Sequence, residues 1–160
     1  MKLLFLIEKL KASEVFSQYK EKNPTAYFFA GFFSIDLKTK NNEYHLDYSD
    51  KEGKIMAFSL KENIEAKPTE PLQKIPTPIK DALKIDIDDA ENIAIKEAEK
   101  NGMKLDKIMA ILQNQEGKVI WNLTCIHGIK ILKMKIDSET GEILKSESIN
   151  MMDFMKLMKK

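Results

Sequence analysis

The chain has 160 residues, 43% of them hydrophobic, so it can bury a core as one compact domain or as two small, closely packed ones. Its 26 basic residues, all of them lysine, balance 25 acidic residues to a net charge of +1. A net charge this close to zero does not attract a polyanion over long range. The chain also has no arginine, whose guanidinium group makes bidentate hydrogen bonds to phosphates and guanine edges. We therefore expect no nucleic-acid partner.

The first 23 residues predict a helix with a break. Apolar residues from Lys2 to Asn23 have helical spacing, but their stripe changes direction partway. A break near Ser13, with Ser13 as the N-cap of a second helix that Pro24 ends, lets both stripes be buried. One continuous helix held between two partners is the alternative.

The apolar run at the start, Leu3–Ile7, is shorter than the roughly 7–15 residues of a signal-peptide core. No stretch approaches the roughly 20 apolar residues of a membrane span. We therefore expect a soluble, cytoplasmic protein, unless the sequence is a trimmed piece of a secreted one.

Residues 25–60 predict three antiparallel strands, the last two joined by a turn at Asp50–Gly53. The first strand is apolar on both faces, with Tyr27, Phe29 and Phe33 on one face and Phe28, Ala30 and Phe32 on the other. One face is expected to join a core. The second must be covered by the N-terminal helix, the second repeat or a second subunit, because two exposed phenylalanines would invite aggregation. Phe28 and Phe32 are therefore candidates for an interaction surface.

A proline-rich connector is predicted at residues 63–84. Pro68, Pro71, Pro76 and Pro78 exclude a regular helix or a central strand and indicate an extended segment. The connector divides the chain into a first unit at residues 1–62 and a second at residues 85–160.

A short strand at Ile85–Ile87 and a helix at Asp89–Asn101 are predicted to open the second unit, with Asp88 as the helix cap and Gly102 as its end. The inward face of this helix consists of small or branched apolar residues: Ala90, Ile93, Ala94 and Ala98.

Alternating polarity then predicts further antiparallel strands. In Val119–His127, Trp121 is the core anchor of a face that also carries Leu123 and Cys125. The next strand shifts its apolar phase, which predicts a bulge near Ile131–Leu132. A turn at Asp137–Gly141 leads into the last strand.

An internal repeat is indicated when Gly53 is aligned on Gly141. This alignment places Tyr44, Leu46 and Tyr48 on Leu132, Met134 and Ile136. The first copy would then lack a hairpin equivalent to Lys107–Gly117.

The strand Trp121-Asn122-Leu123, an alternating strand and the turn Asp137-Ser138-Glu139-Thr140-Gly141-Glu142-Ile143, preceded by a small helix, resemble the PepSY domain family. The resemblance covers residues 86–148, with a degenerate second copy at 13–60. It implies small units that regulate or bind, as in propeptides of secreted metallopeptidases, and it carries no catalytic residues. Most members work outside the cytoplasm, in contrast to the location expected above.

We therefore predict an α+β fold of two tandem helix-plus-antiparallel-sheet repeats, layered as in PepSY and cystatin-like domains, with terminal helices.

The tail, residues 149–160, predicts a terminal helix with Met151, Phe154, Met155 and Met158 on one side. Such a stripe is more often core, although methionines also form adaptable binding surfaces. Met151 and Met155 are therefore further candidates for an interaction surface.

Residues that could carry chemistry are few. Cys125 and His127 share a strand face, but a buried thiol beside a strand-end histidine explains them without catalysis. Helix capping explains the acidic run at residues 86–91 better than a calcium loop, whose central glycine is missing. We predict no catalytic, metal or cofactor site.

Two hypotheses remain. The favoured hypothesis is a regulatory module that binds another protein, a peptidase as the resemblance implies, or that associates with itself. A small-molecule carrier or enzyme with a pocket between helix and curved sheet is the alternative.

Overall fold

The computed structural model describes residues 3–80 and 83–158. The helices within these residues are α1 (Leu3–Lys11), α2 (Glu14–Lys22), α3 (Ile87–Lys100) and α4 (Met151–Met158). The strands are β1 (Tyr27–Asp36), β2 (Glu43–Ser49), β3 (Ile55–Leu60), β4 (Ile64–Thr69), β5 (Lys107–Gln115), β6 (Lys118–His127), β7 (Lys130–Asp137) and β8 (Ile143–Asn150).

These strands form one antiparallel sheet in the order β4-β3-β2-β1-β5-β6-β7-β8. Two sets of consecutive strands meet at the β1–β5 pair, where Phe33 lies opposite Ala110. Helices precede each set, and β4 and β8 form the two edges of the sheet. The predicted combination of helices with an antiparallel sheet is therefore confirmed.

The predicted register of the internal repeat does not agree with this sheet order. That register equates β2 with β7, yet β2 is the second strand from the centre on its side and β7 is the third. The first set also has no missing hairpin, since β4 completes it as a set of four strands. The repeat itself and the division at residues 63–84 stay predictions.

The predicted connector begins with a strand. Ile64–Thr69 forms β4, and Pro68 is tolerated there because an edge strand has one side without hydrogen-bonded neighbours. Beyond β4 the chain is tied to the start of β1: Tyr27 Oη donates to the carbonyl of Pro76 (2.6 Å), and the amide of Ile79 donates to the carbonyl of Phe28 (2.9 Å).

Helices α1, α2 and α3 pack on one face of the sheet, called here the helix face. Their buried residues join the strand residues in one core. The alanines of α3 predicted to face inward, Ala90, Ala94 and Ala98, are buried, and their small side chains let the helix approach β6 and β7.

The predicted break after α1 is confirmed. Ser13 is the N-cap of α2, and its hydroxyl accepts a hydrogen bond from the amide of Phe16 (3.2 Å). The break lets α1 bury its leucine and isoleucine stripe while α2 buries Phe16.

Helix α3 begins two residues earlier than predicted, and the predicted strand at Ile85–Ile87 is wrong. Asp86 is the N-cap in a reciprocal capping box with Asp89, so Ile87 is already helical. The Asp86 carboxylate also accepts a hydrogen bond from the amide of Leu3 (2.8 Å), which joins the starts of α1 and α3.

The predicted bulge at Ile131–Leu132 is also wrong. These residues pair in regular register with Ile126 and Cys125, because the turn at Gly128, with φ of 57°, already resets the phase. The irregularities lie elsewhere, in β1 between Phe28 and Ala30 and where β8 pairs with β7.

Candidate interaction surface

The bulge in β1 decides which phenylalanines could reach a partner. Phe28 and Ala30 pair with consecutive residues of β2, so Phe29 is the extra residue. Phe28 therefore lies on the helix face with Phe33, is only 4% exposed, and contacts Tyr48 with ring centroids 5.9 Å apart. The predicted placement of Phe28 on the opposite face is wrong, and its side chain is not available to a partner.

Phe32 lies on the opposite face of the sheet, called here the outer face. It is half-buried, its ring centroid is 5.9 Å from that of His45, and Ile111 lies opposite it on β5. Ile111 is 39% exposed. The side chains of Phe32, Ile111 and Met109, which lies on the same face of β5, form an apolar centre. Helices α1, α2 and α3 leave this centre uncovered.

Asp47 lies on the outer face beside this centre. It pairs with Ala30 on one side and Ala57 on the other, and its carboxylate has no hydrogen-bond partner in the described part of the chain. Burial raises the pKa of its carboxyl to about 6. A half-buried carboxyl among small and apolar neighbours is stabilised by a hydrogen-bond donor from a partner. When the carboxyl is neutral, an apolar group of a partner can also cover it.

One end of the outer face is crossed by the chain that follows β4. Leu72 and Ile75 line a cavity of about 550 Å³ together with Phe29, Ala30 and Gln113. This crossing explains why Phe29 is buried outside the main core. The outer face is thus covered at the end where β1 begins and open around Phe32.

Helix α4 follows edge strand β8 directly, and its start is held by the amide of Met151, which donates to the carbonyl of Ile129 (2.9 Å). Met151 is half-buried, whereas Met155 is 52% and Met158 is 73% exposed. The expectation of a buried methionine stripe is therefore wrong for Met155 and Met158, whose side chains are exposed beyond the edge strand of the sheet. The predicted helical residues 159–160 lie outside the described residues, and so does the side chain of Phe154.

The Cys125 thiol is fully buried, and burial raises its pKa to about 12. A thiol with such a pKa stays protonated at neutral pH and is not a nucleophile. His127 has its Nδ1 3.7 Å from an Asp106 carboxylate oxygen, too long for a hydrogen bond. The structure therefore agrees with the structural interpretation of this pair.

The acidic run at residues 86–91 starts α3 with a capping box, as described above. Within residues 3–80 and 83–158, no three His, Cys, Asp or Glu side chains come together as metal ligands would.

Residues 84–147 match the family model described as PepSY, peptidase propeptide and YPEB domain. The match spans α3 through most of β8 and confirms the resemblance predicted over residues 86–148. This segment of the chain is therefore similar to a PepSY domain.

The fold is similar to the crystal structure of a candidate lipoprotein from Clostridium difficile 630, with a TM-score of 0.56 and 17% identity over 85% of this chain and 91% of that chain. At this identity the likeness shows the fold alone. None of the curated proteins compared matches the chain significantly. The helices in the described residues are all too short or too polar to cross a membrane.

Proposed function

We propose that this protein is a non-enzymatic regulatory module that binds another protein through the outer face of its sheet. The observation that carries the proposal is the apolar centre of Phe32, Met109 and Ile111, which the helices leave uncovered on the opposite side of the sheet. An uncovered apolar centre within a polar surface is typical of protein interfaces, where a few aromatic and aliphatic anchors carry most of the binding energy.

A peptidase is the first partner to test. The family model that matches residues 84–147 is described as a peptidase propeptide domain, and a propeptide acts by contact with its enzyme. The buried, protonated Cys125 supports a mechanism by contact over one by covalent catalysis.

The test is a pull-down from the source cell with tagged chain, comparing wild type with Phe32→Glu. We expect the variant to lose its partner, because a carboxylate at the centre of an apolar contact must be desolvated. Leu4→Glu is the matched control: it places the same charge on an exposed apolar position of α1, away from the outer face. Thermal unfolding checks that both variants fold.

Equal capture of the same partner by wild type, Phe32→Glu and Leu4→Glu would contradict the proposal. Purified metallopeptidases can then be assayed with wild type and Phe32→Glu, and inhibition by wild type alone would identify the partner as a peptidase.

A small-molecule carrier or enzyme is the second candidate, and one groove favours it. Leu37, Ile95, Met103 and Leu105 line a cavity of about 600 Å³ at the C-terminal end of α3, together with the charged residues Glu99 and Lys104. This is a place between helix and sheet where ligands often bind. Native mass spectrometry of protein purified from its source, compared with Ile95→Trp, separates the two functions, since only this function predicts a ligand that the variant loses.

A cytoplasmic location is part of the proposal. Its support is limited to the fold: the apolar residues Leu3, Leu6, Ile7 and Leu10 belong to the core as part of helix α1. Cell fractionation tests it, and recovery of the chain with the cell surface would contradict it.

A further inference from the structure

The sheet has two edges, β4 and β8, and they differ in the backbone groups that each can offer to another strand. Edge strands expose unpaired backbone groups that can bond to another strand. In β4, Pro68 has no amide hydrogen, so this edge lacks a donor at that position. Strand β8 contains no proline, and its residues from Leu144 to Ser148 are exposed.

We propose that β8 pairs antiparallel with β8 of a second copy of this chain, joining two sheets edge to edge. The charges of the strand are self-complementary about Ser146. A twofold axis at Ser146 places Lys145 opposite Glu147 of the second copy, and Glu147 opposite Lys145 of that copy. Opposed residues of an antiparallel pair share a face, so both charge pairs form on the outer face.

In the single chain the positive charge of Lys145 lies opposite another positive charge, and the pairing would offset this repulsion. Lys135 of β7 lies directly opposite Lys145, and like charges at opposed positions destabilise a sheet. Lys145 forms no ion pair with any described residue. In the dimer, Glu147 of the second copy would supply the missing negative charge on the other side of Lys145.

Apolar groups near the same edge would add to the contact. Leu144, Ile129, Met152 and Met155 are all exposed on or beside β8. Stable interfaces bury roughly 1,200–2,000 Å², more than a short strand pair provides, so side chains of α4 must contribute. A second copy that covers these groups would bury apolar surface that is otherwise exposed to solvent.

Two charge reversals test the pairing by sedimentation velocity over a concentration series. In K145E, positions 145 and 147, which oppose each other in the dimer, both carry an acid. In E147K, both carry a lysine. Each variant alone would face its own charge, and we expect its dimer dissociation constant to rise at least about tenfold. An equimolar mixture of the two restores opposite charges, so a heterodimer should form where neither variant dimerises.

Glu65→Lys is the matched control, because it makes the same charge change on the edge strand that Pro68 blocks, and it should leave the dimer intact. Met155→Glu should weaken the dimer if α4 contributes. A wild type that stays monomeric throughout, a mixture that stays monomeric, or equal weakening by E147K and E65K would overturn the proposal. Phe32→Glu should leave dimerisation unchanged, so this proposal and the proposed function can fail separately.

Discussion

The indole Nε1 of Trp121 donates a hydrogen bond to the carbonyl oxygen of Ile85 at 2.8 Å. Trp121 is fully buried on β6, and its ring centroid lies 5.4 Å from that of Phe33 across the sheet centre. Ile85 immediately precedes the cap of α3, and its own amide donates to the carbonyl of Ser138. One side chain thus packs the two halves of the sheet together and holds the start of the helix above them.

Trp121→Ala should lower the free energy of unfolding by about 3–5 kcal/mol, the usual range for a large-to-small core change. Trp121→Phe should cost less, about 1–3 kcal/mol, because it keeps most of the packing but removes the donor to Ile85. Urea denaturation measures both. Trp121 is the single tryptophan, so native emission at a water-exposed wavelength would contradict its burial.

The burial of Trp121 and the break at Ser13 could be predicted because both follow from local patterns. Strict alternation assigns Trp121 to a face, and two helical stripes on different sides require a break. The uncovered outer face could not be predicted, since it depends on α1, α2 and α3 all packing on the same side of the sheet.

Phe28 shows the limit of such patterns. Alternation places it with Phe32, but a one-residue bulge in β1 reverses that assignment, and nothing in the local sequence marks the bulge. Pro68 shows the same limit. Proline excludes a central strand, but whether an edge strand forms at Pro68 depends on the position of β3, with which it pairs.

Gly31→Ala should destabilise the protein by about 1–3 kcal/mol through overpacking. A Cβ at Gly31 would lie 2.7 Å from the Cε2 and Cζ atoms of Phe33. The Phe33 ring is fully buried between Trp121 and Tyr44, so it has little room to move.

A double-mutant cycle with Phe33→Leu checks this cause. The cost of Gly31→Ala, measured by urea denaturation, should shrink when the ring is absent. An equal cost in both backgrounds would mean that the backbone and not the ring responds to the added methyl group.

Cys125 should be inert in the native protein. With a pKa of about 12, only about one thiol in ten thousand is ionised at pH 8, and the side chain is buried from the reagent. Ellman's reagent should therefore react only after urea is added.

The double variant Cys125→Ala with His127→Gln should keep partner binding, and loss of a catalytic turnover in a folded double variant would contradict the proposed function.

Asp47 should make the protein less stable as pH rises from about 4 to 6. Its carboxyl has a usual pKa of 3.8 and a folded pKa of about 6, raised by burial. Below about pH 3 the group is neutral in both states, so it costs nothing. Between the two pKa values the unfolded chain ionises and the folded chain does not, so the free energy of unfolding falls; above about pH 6 the full cost is present.

Asp47→Asn removes this cost, because an amide occupies nearly the same volume without a charge. The variant should match wild type at about pH 3 and exceed its free energy of unfolding by about 1–3 kcal/mol at pH 7.5, the two-unit shift being an upper limit. Other acids titrate in the same range, so the quantity to follow is the difference between the two urea-denaturation curves across pH. Glu65→Gln, which neutralises an exposed acid on β4, should give a difference that stays near zero. Parallel pH profiles for wild type and Asp47→Asn would show that the outer face leaves this carboxylate as well solvated as it is in the unfolded chain.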